Sequence, residues 1–217
     1  MKTKLIFVIV ISLFTIYSTN LNATCPEGYS SSSATYSLIN PKTQLPCLFV
    51  VYYCYQFIPP TPPPNSTPGH VNIYIDDRWA EYPCSKDIPM DNIFFSSESN
   101  AISLNLAQVL PQQDFPPCGT DYTYYFYIFQ KMCQFYFTKD HDGKLYSGPC
   151  SNTQGSCVYT YSYCWNYVCS CPTVAYLYKT SSGGPDCGTS IPSIPPYGYT
   201  MYDTWSTDCF LTNSDCY

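Results

Sequence analysis

Apolar positions along this chain recur mostly with the two-residue period of strands. The segments ATYSLI (34–39) and LPCLFVVYYCYQF (45–57) are rich in β-branched and aromatic residues, and NPKTQ (40–44) between them supplies an Asn-Pro turn signal. They predict a β-hairpin. HVNIYI (70–75) alternates as a further strand, and YTYYFYIFQKMCQFYF (122–137) is too aromatic for a solvent-exposed helix. TKDHDGKLY (138–146) follows with Asp142-Gly143, the strongest hairpin signal in the chain. One segment breaks the pattern. In SESNAISLNLAQVL (97–110), Ile102, Leu106, Val109 and Leu110 share a helical face, the serines ahead can accept first-turn amide hydrogens, and Pro111 stops the helix.

The segment CVYTYSYCWNYVCSC (157–171) extends the strand pattern over fifteen residues. Successive side chains on a strand point to opposite faces, so Cys157, Tyr159, Tyr161, Tyr163, Trp165, Tyr167, Cys169 and Cys171 would share one. Thr160, Ser162, Asn166 and Ser170 suit the wet face, where Cys164 is the exception and must bond something on that side. At ~3.3 Å per residue such a strand would run nearly ~50 Å, so a bend near Asn166 is expected.

Prolines interrupt the pattern at FIPPTPPPNSTPGH (57–70), where six of them favour extended polyproline geometry. Residues 58–69 therefore read as a linker or long surface loop between an amino-terminal hairpin unit (24–57) and a β-rich remainder (70–217), which the hairpin can join as one domain. Asn65-Ser66-Thr67 on this loop forms a glycosylation sequon. From Cys171 onward proline, glycine and serine dominate, and the tail reads as irregular loops fastened by Cys187, Cys209 and Cys216.

The first residues set the compartment. MKTK is a basic start, LIFVIVISLFTIY is a continuous apolar run, and STNLNA leads to a cleavable small residue at Ala23. Residues 1–23 thus read as a signal peptide, and the run is shorter than the ~20 residues of a membrane-spanning helix. No second such run follows, so the mature chain is expected to be soluble, without membrane insertion. Asn22, Ala23 and Thr24 fit a lipobox before Cys25 poorly.

Export changes the meaning of the sulfur. All fourteen cysteines (Cys25, Cys47, Cys54, Cys84, Cys118, Cys133, Cys150, Cys157, Cys164, Cys169, Cys171, Cys187, Cys209 and Cys216) lie beyond Ala23. An even, dense set in an oxidising compartment implies disulfides. Zinc at Cys164, Cys169 and Cys171 is the sharper alternative, but the paired C-x2-C spacing of a zinc ribbon is missing. A spacing of seven recurs at Cys47/Cys54, Cys150/Cys157, Cys157/Cys164 and Cys209/Cys216. Within one strand an odd spacing points two cysteines apart, whereas around a two-residue turn it sets them opposite each other. SNTQGS and FLTNSD contain turn residues and LFVVYY does not. The expected pairs are therefore Cys150 with Cys157 and Cys209 with Cys216, and Cys47 with Cys54 is not expected.

Charge and motifs narrow the function. The net charge is −6, and loss of Lys2 and Lys4 with the leader leaves seven basic against fifteen acidic residues, −8. Such a surface repels phosphate backbones, which excludes nucleic acid. Charged residues are 11% and aromatics 18%, with 24 tyrosines. Tyrosines form strands well and also offer flat, amphipathic contact surface. The histidines, His70 and His141, read as surface residues, and neither G-x-S-x-G nor H-E-x-x-H occurs. Carboxylates remain: Asp76, Asp77 and Glu81 near a strand end, and Asp140 and Asp142 around His141. Asp140–Gly143 matches half a calcium loop without its later acidic ligands, and turn chemistry explains it more simply.

The expectation is a mostly β, small, disulfide-rich antiparallel protein with one short helix and long irregular loops. It is secreted or cell-surface, without cofactor, metal or catalytic residue, and binds a surface polysaccharide or protein or plays a structural part. A carboxylate-dependent glycan hydrolase and a secreted inhibitor or effector are the alternatives. A pocket gathering two acidic side chains would favour catalysis; a flat row of exposed rings would favour binding.

Overall fold

The structure, a computed structural model, describes residues 25–61, 67–82, 84–120, 123–139, 141–151, 153–212 and 216. The proposed leader, Asn65 and Asp140 lie outside the described residues. Among the described residues nine strands share one sheet: β1 (Ser30–Ile39), β2 (Pro46–Ile58), β3 (His70–Glu81), β4 (Tyr124–Lys131), β5 (Cys133–Phe137), β6 (Lys144–Pro149), β7 (Ser156–Asn166), β8 (Cys171–Ser182) and β9 (Phe210–Leu211). A short helix α1 (Cys84–Asp87) and the longer α2 (Asn92–Val109) lie between β3 and β4. The amino-terminal hairpin β1–β2 enters the same sheet through β2, which pairs with β3.

The sheet forks at β3. One edge of β3 pairs with β2 from His70 to Ala80. The other edge is shared: His70–Tyr74 pair with β4, and Arg78–Glu81 pair with β6. One branch runs β4–β7–β8 and the other β6–β5–β9. Buried Met132, between β4 and β5, is where the chain leaves one branch for the other. Between the branches, Ile75, Asp76 and Asp77 have no ladder partner on that edge among the described residues. There β3 also has a bulge, since Tyr52 opposes Asp77 while Tyr53 opposes Ile75, so Asp76 is the extra residue.

The sheet is mixed, because β3 and β4 run parallel. Parallel neighbours need a long crossover, and α2 provides it, which places the helix across one face. Phe94, Phe95, Ile102 and Leu106 pack there with Val71, Ile73, Phe126, Ile128, Tyr159, Tyr161 and Tyr163 in one core. Each such side chain contributes about 1.5–3 kcal/mol on full burial. The helix starts earlier than its serines suggested. Asp91 Oδ1 accepts the amide hydrogen of Phe94 at 3.0 Å and caps a helix that begins at Asn92, and Val109 points outward, 46% exposed.

All fourteen cysteines lie in seven bridges: Cys25–Cys54, Cys47–Cys84, Cys118–Cys164, Cys133–Cys187, Cys150–Cys209, Cys157–Cys216 and Cys169–Cys171. The two expected hairpin pairs are exchanged among the same four cysteines. Cys150 follows β6 and Cys157 lies in β7, which belong to different branches and do not pair, so the spacing of seven crosses the fork rather than a two-residue turn. The tail brings Cys209 and Cys216 alongside them instead. Cys47 and Cys54 face opposite sides of β2 and take separate partners. Bonding of Cys164 to Cys118, and of Cys169 to Cys171, leaves no thiol at these positions for zinc. The strand at 157–166 ends in a turn at 167–170, so Tyr167, Cys169 and Cys171 do not extend the inner face expected for them.

Candidate functional site

The face opposite α2 is open, and its chemistry follows from strand alternation. On β4, Phe126, Ile128 and Gln130 are buried towards the helix, so Phe129 and Lys131 point the other way. On β5, Gln134 joins the buried side while Phe135 and Phe137 stand opposite it. β3 adds Tyr74 before its bulge and Asp76 and Asp77 at it. These side chains line a groove of about 550 Å³ in the fork, closed by Tyr52, Tyr146, Gly148 and Lys139.

Its walls are flat rings in register. Tyr74 and Phe129 stack with centroids 4.7 Å apart, Phe135 and Phe137 at 5.1 Å, and Phe137 and Tyr146 at 5.4 Å. Gly148 lets the second pair lie close over the strand, because a β carbon there would stand 3.3 Å from Phe135 Cε1 and 3.5 Å from Phe137 Cε1. The aromatic surface continues outward along the sheet: Tyr29 packs edge-on to Tyr74, and Tyr125 stacks with Tyr127, against which His70 sits.

Charge is concentrated on one wall. Lys139 Nζ lies 2.6 Å from Asp77 Oδ2 and over the rings of Phe137, at 5.1 Å, and Tyr146, at 4.5 Å. Asp77 Oδ1 is buried with no hydrogen-bond partner among the described residues. Partial burial, and then the charge of Asp77, raise the Asp76 carboxyl above the ordinary carboxylate range. Burial raises the Tyr74 phenol as well, and burial followed by the Asp142 hydrogen bond raises that of Tyr146. The groove can thus stack a flat, partly apolar ligand face and hydrogen-bond its rim.

Of the candidate residues read from the sequence, Asp76 and Asp77 come together here. Asp142 touches the groove only through Tyr146, whose hydroxyl donates to its Oδ2 at 2.7 Å, while also holding the Lys144 amide. Glu81 sits at the far end of β3 opposite Lys144. His141 contacts the Tyr202 carbonyl in the loop between β5 and β6, away from both carboxylates of the groove. Among the described residues no group of three or more His, Cys, Asp or Glu side chains is placed to hold a metal ion. Lys139 and the ring pairs were not singled out by sequence reasoning, because their register across the fork depends on strands distant in the chain.

Comparison with known protein families, curated proteins and solved structures finds no match to this chain. Among the described residues no helix is long and apolar enough to cross a membrane. The seven bridges fit an extracellular or secreted protein.

Proposed function

We propose that this is an exported, non-enzymatic binding protein, with residues 1–23 as a cleaved leader, that takes a carbohydrate chain in the groove of the fork. The observation that supports it most is the set of half-exposed stacked rings, Tyr74/Phe129 and Phe135/Phe137, beside Asp76, Asp77 and Lys139. The C–H faces of a sugar ring suit the negative face of an aromatic ring, while its hydroxyls need fixed acceptors and donors at the edge. A protein ligand would be served as well by apolar pockets, but this groove sets carboxylates and an ammonium beside its rings. The acidic surface disfavours polyanions, so neutral or amino sugars fit best.

A hydrolytic reading rests on Asp76, whose raised carboxyl stands beside Asp77. Both, however, come from adjacent positions of one strand and form one wall, whereas glycoside cleavage needs two carboxyl groups flanking the bond. Titration calorimetry against soluble cell-wall oligosaccharides, with product analysis on the same samples, separates the two. Saturable binding that Phe129→Ala weakens about tenfold or more, without released sugar, supports the proposal. Absence of binding, or sugar release abolished by Asp76→Asn, overturns it.

A further inference from the structure

The bridge Cys169–Cys171 differs from the other six. It spans two positions, where the others span 29 to 59. It sits at the tip joining β7 to β8, and the loop it closes is already closed by the backbone, since Asn166 pairs with Cys171 and Asn166 Oδ1 accepts the amide hydrogen of Val168 at 2.9 Å. Eleven residue pairs hold the β7–β8 ladder below it. Five of the other bridges contain a buried cysteine, and the sixth, Cys118–Cys164, has both half-buried, whereas Cys169 is exposed and Cys171 half-buried. Beside it Tyr167 is 65% and Val168 97% exposed, an apolar tip with room for a partner.

We propose that Cys169–Cys171 is a thiol–disulfide exchange site that oxidises paired thiols on a protein or peptide partner. Exposed bridges are the exchangeable ones, because a thiolate can reach the sulfur in line with the bond it breaks. The partner thiolate attacks Cys169 Sγ, forming an intermolecular disulfide and breaking the Cys169–Cys171 bond. Cys171 leaves as a thiolate and takes up a proton. The partner's second thiolate then attacks its own sulfur in the mixed disulfide, closing the partner's bridge and releasing Cys169, which is protonated in turn. The two electrons and two protons lost by the partner dithiol reside on Cys169 and Cys171. The ladder beneath keeps the fold in both states, so opening this bridge is not tied to unfolding.

The test uses the full native protein in glutathione buffers of graded potential, with differential alkylation, mass spectrometry and near-ultraviolet circular dichroism. Cys169 and Cys171 should become alkylated first, about tenfold or more ahead of any other pair, with the dichroism unchanged. Incubation with reduced, unfolded ribonuclease should then transfer one disulfide per chain. C169S/C171S should transfer none, and wild-type protein mildly reduced and alkylated at this bridge serves the same purpose without a new sequence. The proposal is overturned if the bridge opens only together with the others as the dichroism collapses, or if the blocked protein oxidises ribonuclease as well as the native one.

Discussion

Asp77 and Arg78 are neighbours in β3, yet each anchors an ion pair on a different face of the sheet, and the two pairs have little else in common. Arg78 meets Glu98 of α2 through two bonds, Nε to Oε2 at 2.6 Å and Nη2 to Oε1 at 3.0 Å, with side-chain exposures of 1% and 0%. Gln134 Oε1 accepts from Nη1 at 3.0 Å, and the Tyr36 hydroxyl donates to Glu98 Oε2 at 2.9 Å. This pair thereby joins β1, α2, β3 and β5 beneath the fork. Asp77 and Lys139, exposed 14% and 37%, meet through a single contact, and Asp77 Oδ1 is left without a partner among the described residues. Buried charge tolerates only complete pairing, whereas a half-wet pair keeps capacity for a ligand. Strand alternation sets the two neighbours on opposite faces, and the bulge at Asp76 shifts the parity so that Arg78 rather than Asp77 turns towards α2.

The contrast can be broken from the buried side first. Glu98→Gln should cost about 3–5 kcal/mol in denaturant unfolding, because it strands the Arg78 guanidinium in the core. A double variant, Arg78→Met with Glu98→Leu, should recover most of that loss; equal loss in both would mean that charge pairing is not what holds the fork. The matching change on the open face, Lys139→Met, should cost less than about 1 kcal/mol and act mainly on ligand affinity.

Covalent constraint gives the next effect. Replacing Cys157 and Cys216, 59 positions apart, by alanine should remove about 4 kcal/mol, against about 1.5 kcal/mol for the Cys169–Cys171 pair, 2 apart, by loop entropy. Thermal melts of both variants check the ratio, and equal destabilisation would contradict the distinct role given to the short bridge.

Gly148→Ala should displace Phe135 and Phe137 and reduce glycan affinity about tenfold, with stability changed by about 1–2 kcal/mol, read by calorimetry beside a melt. The smallest effect is pH-dependent. The fold holds the Asp76 proton more tightly than the unfolded chain does, so its charge opposes folding progressively as pH rises through the raised pKa, and is neutral to it below the ordinary carboxylate range. Asp76→Asn should therefore raise the melting temperature slightly at pH 7, by about 2 °C or less, and not at pH 3. A gain of the same size at both values would exclude that origin.

Period-two patterning exposed most of the strands, and alternation in 157–165 gave the inner face that Tyr159, Tyr161 and Tyr163 occupy. The first turn of α2 carries no helical signal in its own residues, since Ile93, Phe94 and Phe95 are β-branched or aromatic, and only the Asp91 cap reveals the start. The fork was not legible either. The run 122–137 looks continuous, and nothing local says that at Met132 the chain changes branch, which is also why the spacing of Cys150 and Cys157 misled. Asp76 and Asp77 stood out as an acidic pair, but the rings that flank them in space come, Tyr74 apart, from four other strands, β2, β4, β5 and β6.

The tail from Cys187 to Cys216 is riveted to Cys133, Cys150 and Cys157, one anchor on β5, one just beyond β6 and one on β7. A single proteolytic cut anywhere between Cys187 and Cys209 therefore frees no fragment. The nicked molecule would gain only the water of hydrolysis and migrate as one species until a reductant is added, so a protease can cut the long proline- and serine-rich stretch while both halves of the severed polypeptide stay in place.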